Sequence, residues 1–296
     1  ILAPTLLFEV VPPEMIERTI LNDIDLTVCT HDEVERIESV AERLGRPAKV
    51  HVKIDTGMGR LGCDWRNAVS FTEHVARGRR LDLTGVYSHF ATSDEPDQTF
   101  ANEQLKRFCG VLDELWKRKI DVPLKHMANS GAILALPQSH FNMVRPGLML
   151  YGYAPRRGMD DASPLRPVMS LVSKITLLKK VGKGTSISYG RRYHAPHDTR
   201  IATVPIGYAD GYSRLLTNRA SVLVRDKRHP VVGTVCMDHI MVDVGNEDEV
   251  GVGDDVVLLG SAGRETISAW DIAETLGTIP YEVLCWVSAR VERVVG

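Results

Sequence analysis

Lysine and aspartate alternate in "HVKIDTGMGRLG", His51 to Gly62, and the glycine-rich turn that follows presents Arg60. On a strand of period two, Lys53 and Asp55 share a face. Glycines at such spacing let the backbone approach a ligand closely. An inward ammonium must be paired or chemically altered, which makes Lys53 a candidate for either. A tight βα turn with Arg60 in a surface ion pair explains the same block equally well. "KHMANSGA" sets His126, Asn129 and Ser130 at a strand end just before a helix start. Ser130 there either caps the helix or offers its hydroxyl to a phosphate at the electropositive end. "NMVRPGLMLYG" adds Arg145, then Gly147 and Leu148, which have N–H groups to offer an anion where Pro146 has none. An ordinary salt bridge remains open for Arg145.

His89 in "YSHFATSDEPD" reads as a core histidine or as a site residue. None of the ten histidines falls in a metal pattern such as HExxH, and no nucleophile elbow, GxGxxG or P-loop occurs. No metal is expected. Asp94, Glu95 and Asp97 have the spacing of neither a calcium hand nor a glycosidase pair, and a solvated loop suffices for them. Further on, "PIGYADGYSR" and "VCMDHIMVD" bring Tyr208, Met237 and Asp238 to strand ends. They would wall a small substrate or serve as domain contacts.

The elements that must hold these residues alternate up to about Pro164. Strand-like runs "PTLLFEV", "DLTVCT", "KVHVKID", "LTGVYSHF", "LKHMANS" and "FNMVRPG" are separated by helical periods. The clearest helix runs from Asp32 to Leu44, with Val34, Ile37, Val40, Ala41 and Leu44 on one face, and Thr30 with Glu33 forms a capping box ahead of it. Ala101 to Arg118 repeats the spacing with Leu105, Phe108, Leu112 and Leu115. Such alternation predicts parallel βα units, and polar residues at strand ends mark the active face of a (β/α) barrel. Six of the eight units of a closed barrel are counted.

After Pro167 the period changes to two. "LVSKITLLKKV", "RIATVPIG", "ASVLV", "HPVVGTVCMDHIMVDV" and "DDVVLLG" predict a mostly antiparallel β domain, interrupted by one short helix capped by Ser268 and ending at Leu276. The boundary is expected within "APRRGMDDASPLRPVM", giving a barrel over 1–164 and a β domain over 165–296.

Composition narrows the class. A net charge of -2 over 296 residues gives no bulk attraction to nucleic acid or anionic lipid. No apolar run reaches the roughly 18 residues that span a bilayer. Five widely spaced cysteines suggest reduced, mostly buried thiols. With no secretion signal visible at Ile1, a cytoplasmic location is expected.

Eight blocks in order, "HVKIDTGMGRLG", "YSHFATSDE", "HMANSGA", "VRPGLMLYG", "SISYG", "VPIGYADGYSR", "VGTVCMDHIMVDV" and "IPYEVLCWVSARVERV", resemble the pyridoxal-phosphate-dependent alanine racemases. The resemblance implies an N-terminal TIM-type (β/α)8 barrel holding the cofactor, a C-terminal β domain, and a homodimer whose sites are shared between subunits. It implies interconversion of L- and D-alanine by two proton carriers, supplying D-alanine for peptidoglycan. Tyr189 of "SISYG", from the neighbouring subunit, resembles the carrier on one face of the substrate. Arg145 resembles the arginine facing the pyridine nitrogen. It would leave the cofactor a weak electron sink, because an arginine donates a hydrogen bond without giving up its proton. Ser130, Gly147, Leu148 and Tyr281 resemble phosphate ligands, with Asn129 beside them. His126 resembles the residue behind Arg145, and His89 the one linking Arg145 toward the tyrosine. Arg60 and the backbone N–H of Met237 resemble the carboxylate clamp, Tyr208 and Tyr281 the narrow mouth, and Lys53 the lysine that is often carbamylated.

The family's Schiff-base lysine lies in a motif like KADAYGHG, which is absent here, and "PTLLFEV" resembles its third strand. About two βα units are therefore expected to be missing, through either a partial sequence or a chain that truly begins near Ile1. A broader amino-acid racemase of the same fold, or a non-catalytic relative, fits the same blocks. A fold-related decarboxylase would instead set an acid against the ring nitrogen.

Overall fold

The computed structural model describes residues 3–159, 161, 164–246 and 249–295. They form two compact units, one of Ile1–Leu150 with Ala154–Leu165, the other of Tyr151–Tyr153 with Arg166–Gly296. Ile1, and Asp160, Ala162 and Ser163 of the stretch expected to hold the boundary, lie outside the described residues.

The first unit is built on parallel strands. β1 (Thr5–Leu6), β2 (Ile24–Val28), β3 (Ala48–Asp55), β5 (Leu81–Tyr87) and β6 (Leu124–His126) run in the order β1-β2-β3-β5-β6, and the short β4 (Cys63–Asp64) pairs in parallel with the end of β3. Helices α1 (Ile16–Leu21), α2 (His31–Leu44), α3 (Ala68–Ala76) and α4 (Thr99–Lys117) connect them, and α5 (Ser130–Ala135) follows β6. The predicted capping box is present in α2: Thr30 Oγ1 accepts from the Glu33 N–H while Glu33 Oε2 accepts from the Thr30 N–H. Its C-terminus stops at Gly45 in the left-handed region, as helices commonly do. Val34, Ile37 and Ala41 are buried against the sheet core, with Val40 and Leu44 partly covered. In α4, Leu105, Phe108 and Leu115 are buried and Leu112 is partly covered.

The sixth predicted strand, "FNMVRPG", is reduced to a single parallel bridge between Met143 and His126. A side chain takes over the ladder there: Asn142 accepts from the Lys125 N–H at 2.7 Å and donates to the Pro123 carbonyl at 2.7 Å. The register between β3 and β5 shifts between Val50 and His51, which oppose Leu83 and Gly85. Thr84 is the extra residue of this bulge.

The second unit is antiparallel throughout its named strand pairs. One sheet orders as β14 (Ile240–Gly245), β11 (Thr199–Val204) and β8 (Leu177–Val181). Another orders as β13 (Lys227–Pro230), β12 (Ser221–Val224), β15 (Asp255–Ala262) and β16 (Glu265–Ile267), with β7 (Leu171–Lys174) on β15, and β9 (Ser186–Ile187) pairs β10 (Tyr193–His194). The run "LVSKITLLKKV" is two strands in different sheets rather than one. Its backbone changes partner between Ile175, whose N–H donates to Asp254, and Thr176, whose N–H donates to Thr203. α6 (Ala269–Leu276) carries the predicted Ser268 cap with Asp271. A second helix, α7 (Pro280–Trp286), begins on a proline at its first position, where the missing N–H costs nothing. All five cysteines are free; four are partly rather than fully buried and Cys285 is exposed. Among the described residues no helix is long and apolar enough to cross a membrane.

Candidate active site

His51 and Lys53 lie on one face of β3, since side chains two apart on a strand point the same way. Lys53 faces a cavity of about 610 Å³ that Arg60, Tyr87, His89, Arg145 and Gly147 also line, with Phe8 and Glu9 at its wall. Its Nζ sits 4.3 Å from the centre of the Tyr87 ring. Among the described residues it forms no ion pair. Burial first, then the charges of Arg145 and Arg60, push the Lys53 ammonium down to about 7.

This depression sets a pH signature. The folded value lies below the unfolded one, so the penalty of burying the ammonium is complete below the folded value and fades as pH rises toward the unfolded value. In bicarbonate-free buffer Lys53→Met is expected to raise Tm over wild type more at about pH 6 than at about pH 9.5. Equal Tm differences at both pH values would contradict the assignment.

Arg145 is held from several sides. Its Nη1 lies 2.6 Å from His126 Nδ1, and its Nη2 donates to the Ser88 carbonyl at 2.6 Å and the Met127 carbonyl at 3.2 Å. His89 Nδ1 is 3.4 Å from the same Nη2. Burial lowers Arg145 to about 10, which leaves it cationic at neutral pH. Burial, followed by the charge of Arg145, drops His126 to about 2 and His89 to about 3, so both rings are neutral. The isolated salt bridge that the sequence left open for Arg145 is not formed among the described residues.

Arg60 is exposed at the cavity rim on a turn that Asp55 ties down. The Asp55 carboxylate accepts the Gly57 N–H at 2.8 Å and the Gly59 N–H at 3.0 Å. Gly57 has φ 136°, and a Cβ there would lie 2.7 Å from the Phe100 ring, so only glycine fits this corner.

The helix cap predicted as an option for Ser130 belongs to Asn129, whose Oδ1 accepts the Ala132 N–H at 3.0 Å and the Ser93 hydroxyl at 2.7 Å. Ser130 Oγ instead accepts the Gly147 N–H at 2.9 Å and the Met149 N–H at 3.3 Å, joining the two loops that contain the anion-site candidates. Leu148 is buried at the start of a 3-10 turn.

The remaining candidates are on the second unit. Tyr189 is 73% exposed. Its turn is strained: Ser188 and Arg191 have φ of 65° and 50°, uncommon for residues with a Cβ. Among the bonds that hold it, Ser188 Oγ donates to the Thr234 carbonyl at 2.6 Å and Thr234 Oγ1 to the Tyr189 carbonyl at 2.7 Å. Strain held in place around an exposed aromatic side chain is a feature of functional turns. Tyr208 and Met237 are exposed on adjoining loops, tied by the Tyr208 N–H to Cys236 and the Ala209 N–H to Met237. Tyr281 is exposed on α7. Asp238 pairs with Arg290 at 2.7 Å.

Phe8, Glu9 and Tyr87, which line the cavity, had no signal of their own in the sequence. Tyr87 stacks on His126 with ring centres 4.7 Å apart and 6° between planes, and its hydroxyl bonds Thr27 at 2.7 Å. The one usable sign was its place two residues before His89.

Fold and cavity together define a two-unit protein with a basic pocket suited to a small anionic group. Residues 1–155 match the family described as alanine racemase, N-terminal domain, and residues 168–295 match alanine racemase, C-terminal domain. Alanine racemase 2 of Caldanaerobacter subterraneus subsp. tengcongensis is 45% identical over 99% of this chain and 76% of its own length. The alanine racemase of Desulforamulus reducens is 45% identical over 98% of this chain and 78% of its own. A solved alanine racemase of Clostridium difficile superposes with a TM-score of 0.95 at 40% identity, covering 99% of this chain and 76% of that one. The chain belongs to the alanine racemase family, and it is an isomerase.

Proposed function

We propose that the protein interconverts L- and D-alanine with pyridoxal phosphate, the cofactor this family uses. The observation that carries the reading is Arg145, fixed by His126 and two carbonyls at the wall of a cavity that Lys53 and Arg60 also line. The Arg145 and Arg60 guanidiniums suit a heteroaromatic ring nitrogen and a substrate carboxylate, and the cavity volume is that of a small-molecule site. When bound, the cofactor supplies an electron-withdrawing ring that acidifies the hydrogen on the substrate's α-carbon.

The chain's own residues do the rest. With the cofactor bound, Arg145 would donate to the ring nitrogen without yielding a proton, which would limit electron withdrawal and with it side reactions. His89 couples Arg145 toward Tyr189, and His126 backs it. Ser130, Gly147, Leu148 and Tyr281 would hold the phosphate with neutral donors, the Gly147 N–H turning to it from Ser130 Oγ, with Asn129 shaping the loop beside them. Arg60 and the Met237 N–H grip the substrate carboxylate, and Lys53, carbamylated, holds Arg60. Tyr208 and Tyr281 restrict the side chain to about a methyl group. Tyr189 of a neighbouring copy moves the proton on one face, and a lysine on the other.

That lysine is proposed to lie outside these 296 residues, in the first two βα units of a barrel whose remainder occupies 1–164, with the β domain over 165–296. A homodimer in the cytoplasm supplying D-alanine for peptidoglycan completes the proposal. Borohydride reduction in the presence of pyridoxal phosphate fixes the cofactor to the lysine that carries it. Peptide mapping of the intact protein is expected to find the label on a peptide outside this sequence, in a sample that racemises alanine. A label on Lys53 would overturn the assignment.

A further inference from the structure

Beyond Arg145 a buried line of donors and acceptors continues across the sheet. His126 Nε2 lies 3.0 Å from His51 Nδ1, and His51 Nε2 lies 3.2 Å from Asp25 Oδ2. The Thr84 hydroxyl donates to that same carboxylate oxygen at 2.8 Å. His126 and His51 are 0% and 1% exposed, so water cannot make up for a wrongly placed hydrogen.

Donor and acceptor rules leave one arrangement. A guanidinium only donates, so His126 Nδ1 accepts and its Nε2 carries the hydrogen. His51 Nδ1 must then accept, its Nε2 carries the hydrogen, and the Asp25 carboxylate ends the line. A hydrogen on Nδ1 of either ring would set two donors face to face. Burial alone would raise the Asp25 carboxyl, but the hydrogen bonds from His51 and Thr84 hold it below its ordinary value.

The backbone is shaped around this line. The bulge at Thr84 lets its hydroxyl reach Asp25 while Gly85 stands opposite His51. A Cβ on Gly85 would lie 2.3 Å from His51 Nδ1, so the ring occupies space that only glycine leaves. Tyr87, stacked flat on His126, stops that ring from turning.

We propose that Asp25 and His51 are positioning residues for racemisation: they hold His126 in the Nε2-protonated form, so that its Nδ1 lone pair fixes the Arg145 guanidinium. The proposal rests on the reading that Arg145 faces the cofactor ring.

The test uses protein labelled with 15N-histidine, with His51→Gln and His126→Gln samples assigning the resonances. Both rings are expected to carry their hydrogen on Nε2, with Nδ1 as the acceptor. Asp25→Ala is expected to displace these tautomers and to lower kcat about tenfold while KM for alanine stays within about twofold. Asp25→Asn, whose amide oxygen still accepts from His51, is expected to stay within about threefold of wild type. His126 or His51 protonated on Nδ1, or an Asp25→Ala protein with wild-type tautomers and wild-type kcat, would overturn the proposal. The wild-type spectrum decides even where a variant fails to fold. An active racemase with Nδ1-protonated His126 fells only this inference; an inactive protein with both rings Nε2-protonated fells only the functional reading.

Discussion

Replacing Tyr189 with phenylalanine is expected to slow racemisation by roughly 10²- to 10⁴-fold, the usual worth of one positioned acid–base group. The fold should be indifferent to the change. The ring is 73% exposed, and the turn is held through backbone carbonyls by Ser188 and Thr234 rather than through the phenol. An exposed substitution of this kind alters stability by no more than about 0.5 kcal/mol. Because the two enantiomers have equal energy, forward and reverse turnover must fall together. The discriminating readout is exchange of the α-hydrogen with solvent deuterium, started from each enantiomer separately. Exchange from the enantiomer whose hydrogen faces the phenol should be lost, while exchange from the other persists. Unchanged exchange from both would remove Tyr189 from the reaction.

Arg145→Leu is expected to lower stability, because it removes the donor that three buried acceptors share. The leucine strands the His126 Nδ1 lone pair and the Ser88 and Met127 carbonyls, all of which now accept from the guanidinium. Each stranded buried group costs about 1–3 kcal/mol. Arg145→Lys keeps the charge but not the planar fork, so it cannot serve three acceptors at once. It should fall between wild type and leucine in stability, with racemisation impaired in both variants. Chemical denaturation of the three proteins side by side checks this order. A leucine variant as stable as wild type would mean that the network contributes nothing net.

Much of this was legible in local patterns. α2 announced itself through Thr30, Glu33 and a buried face of Val34, Ile37 and Ala41, because caps and helical period are written in neighbouring residues. The same holds for Lys53, Asp55 and the glycine turn that presents Arg60. What escaped depends on partners distant in sequence. Asp25, His51 and Tyr87 acquire meaning only when β2, β3, β5 and β6 lie side by side, since no residue near them in the chain marks a hydrogen-bond line. The run at 171–181 keeps an unbroken apolar rhythm while its backbone changes sheets at Ile175 and Thr176, a switch that period alone does not register. Asn142 substituted a side-chain amide for the ladder of the sixth strand, and Asn129 took the cap that Ser130 was in position to make.

Whether the tyrosine is given by a neighbouring copy can be measured by mixing two damaged chains. Arg60→Met disables the carboxylate clamp and Tyr189→Phe the proton carrier, so each variant alone should be nearly inactive. In a mixed dimer with shared sites, one site inherits both changes and the other neither. Equal mixing is expected to restore about a quarter of wild-type activity, as two-fold symmetry dictates. Mixed dimers verified by mass yet no more active than their parents would contradict a site completed by Tyr189 of a second chain.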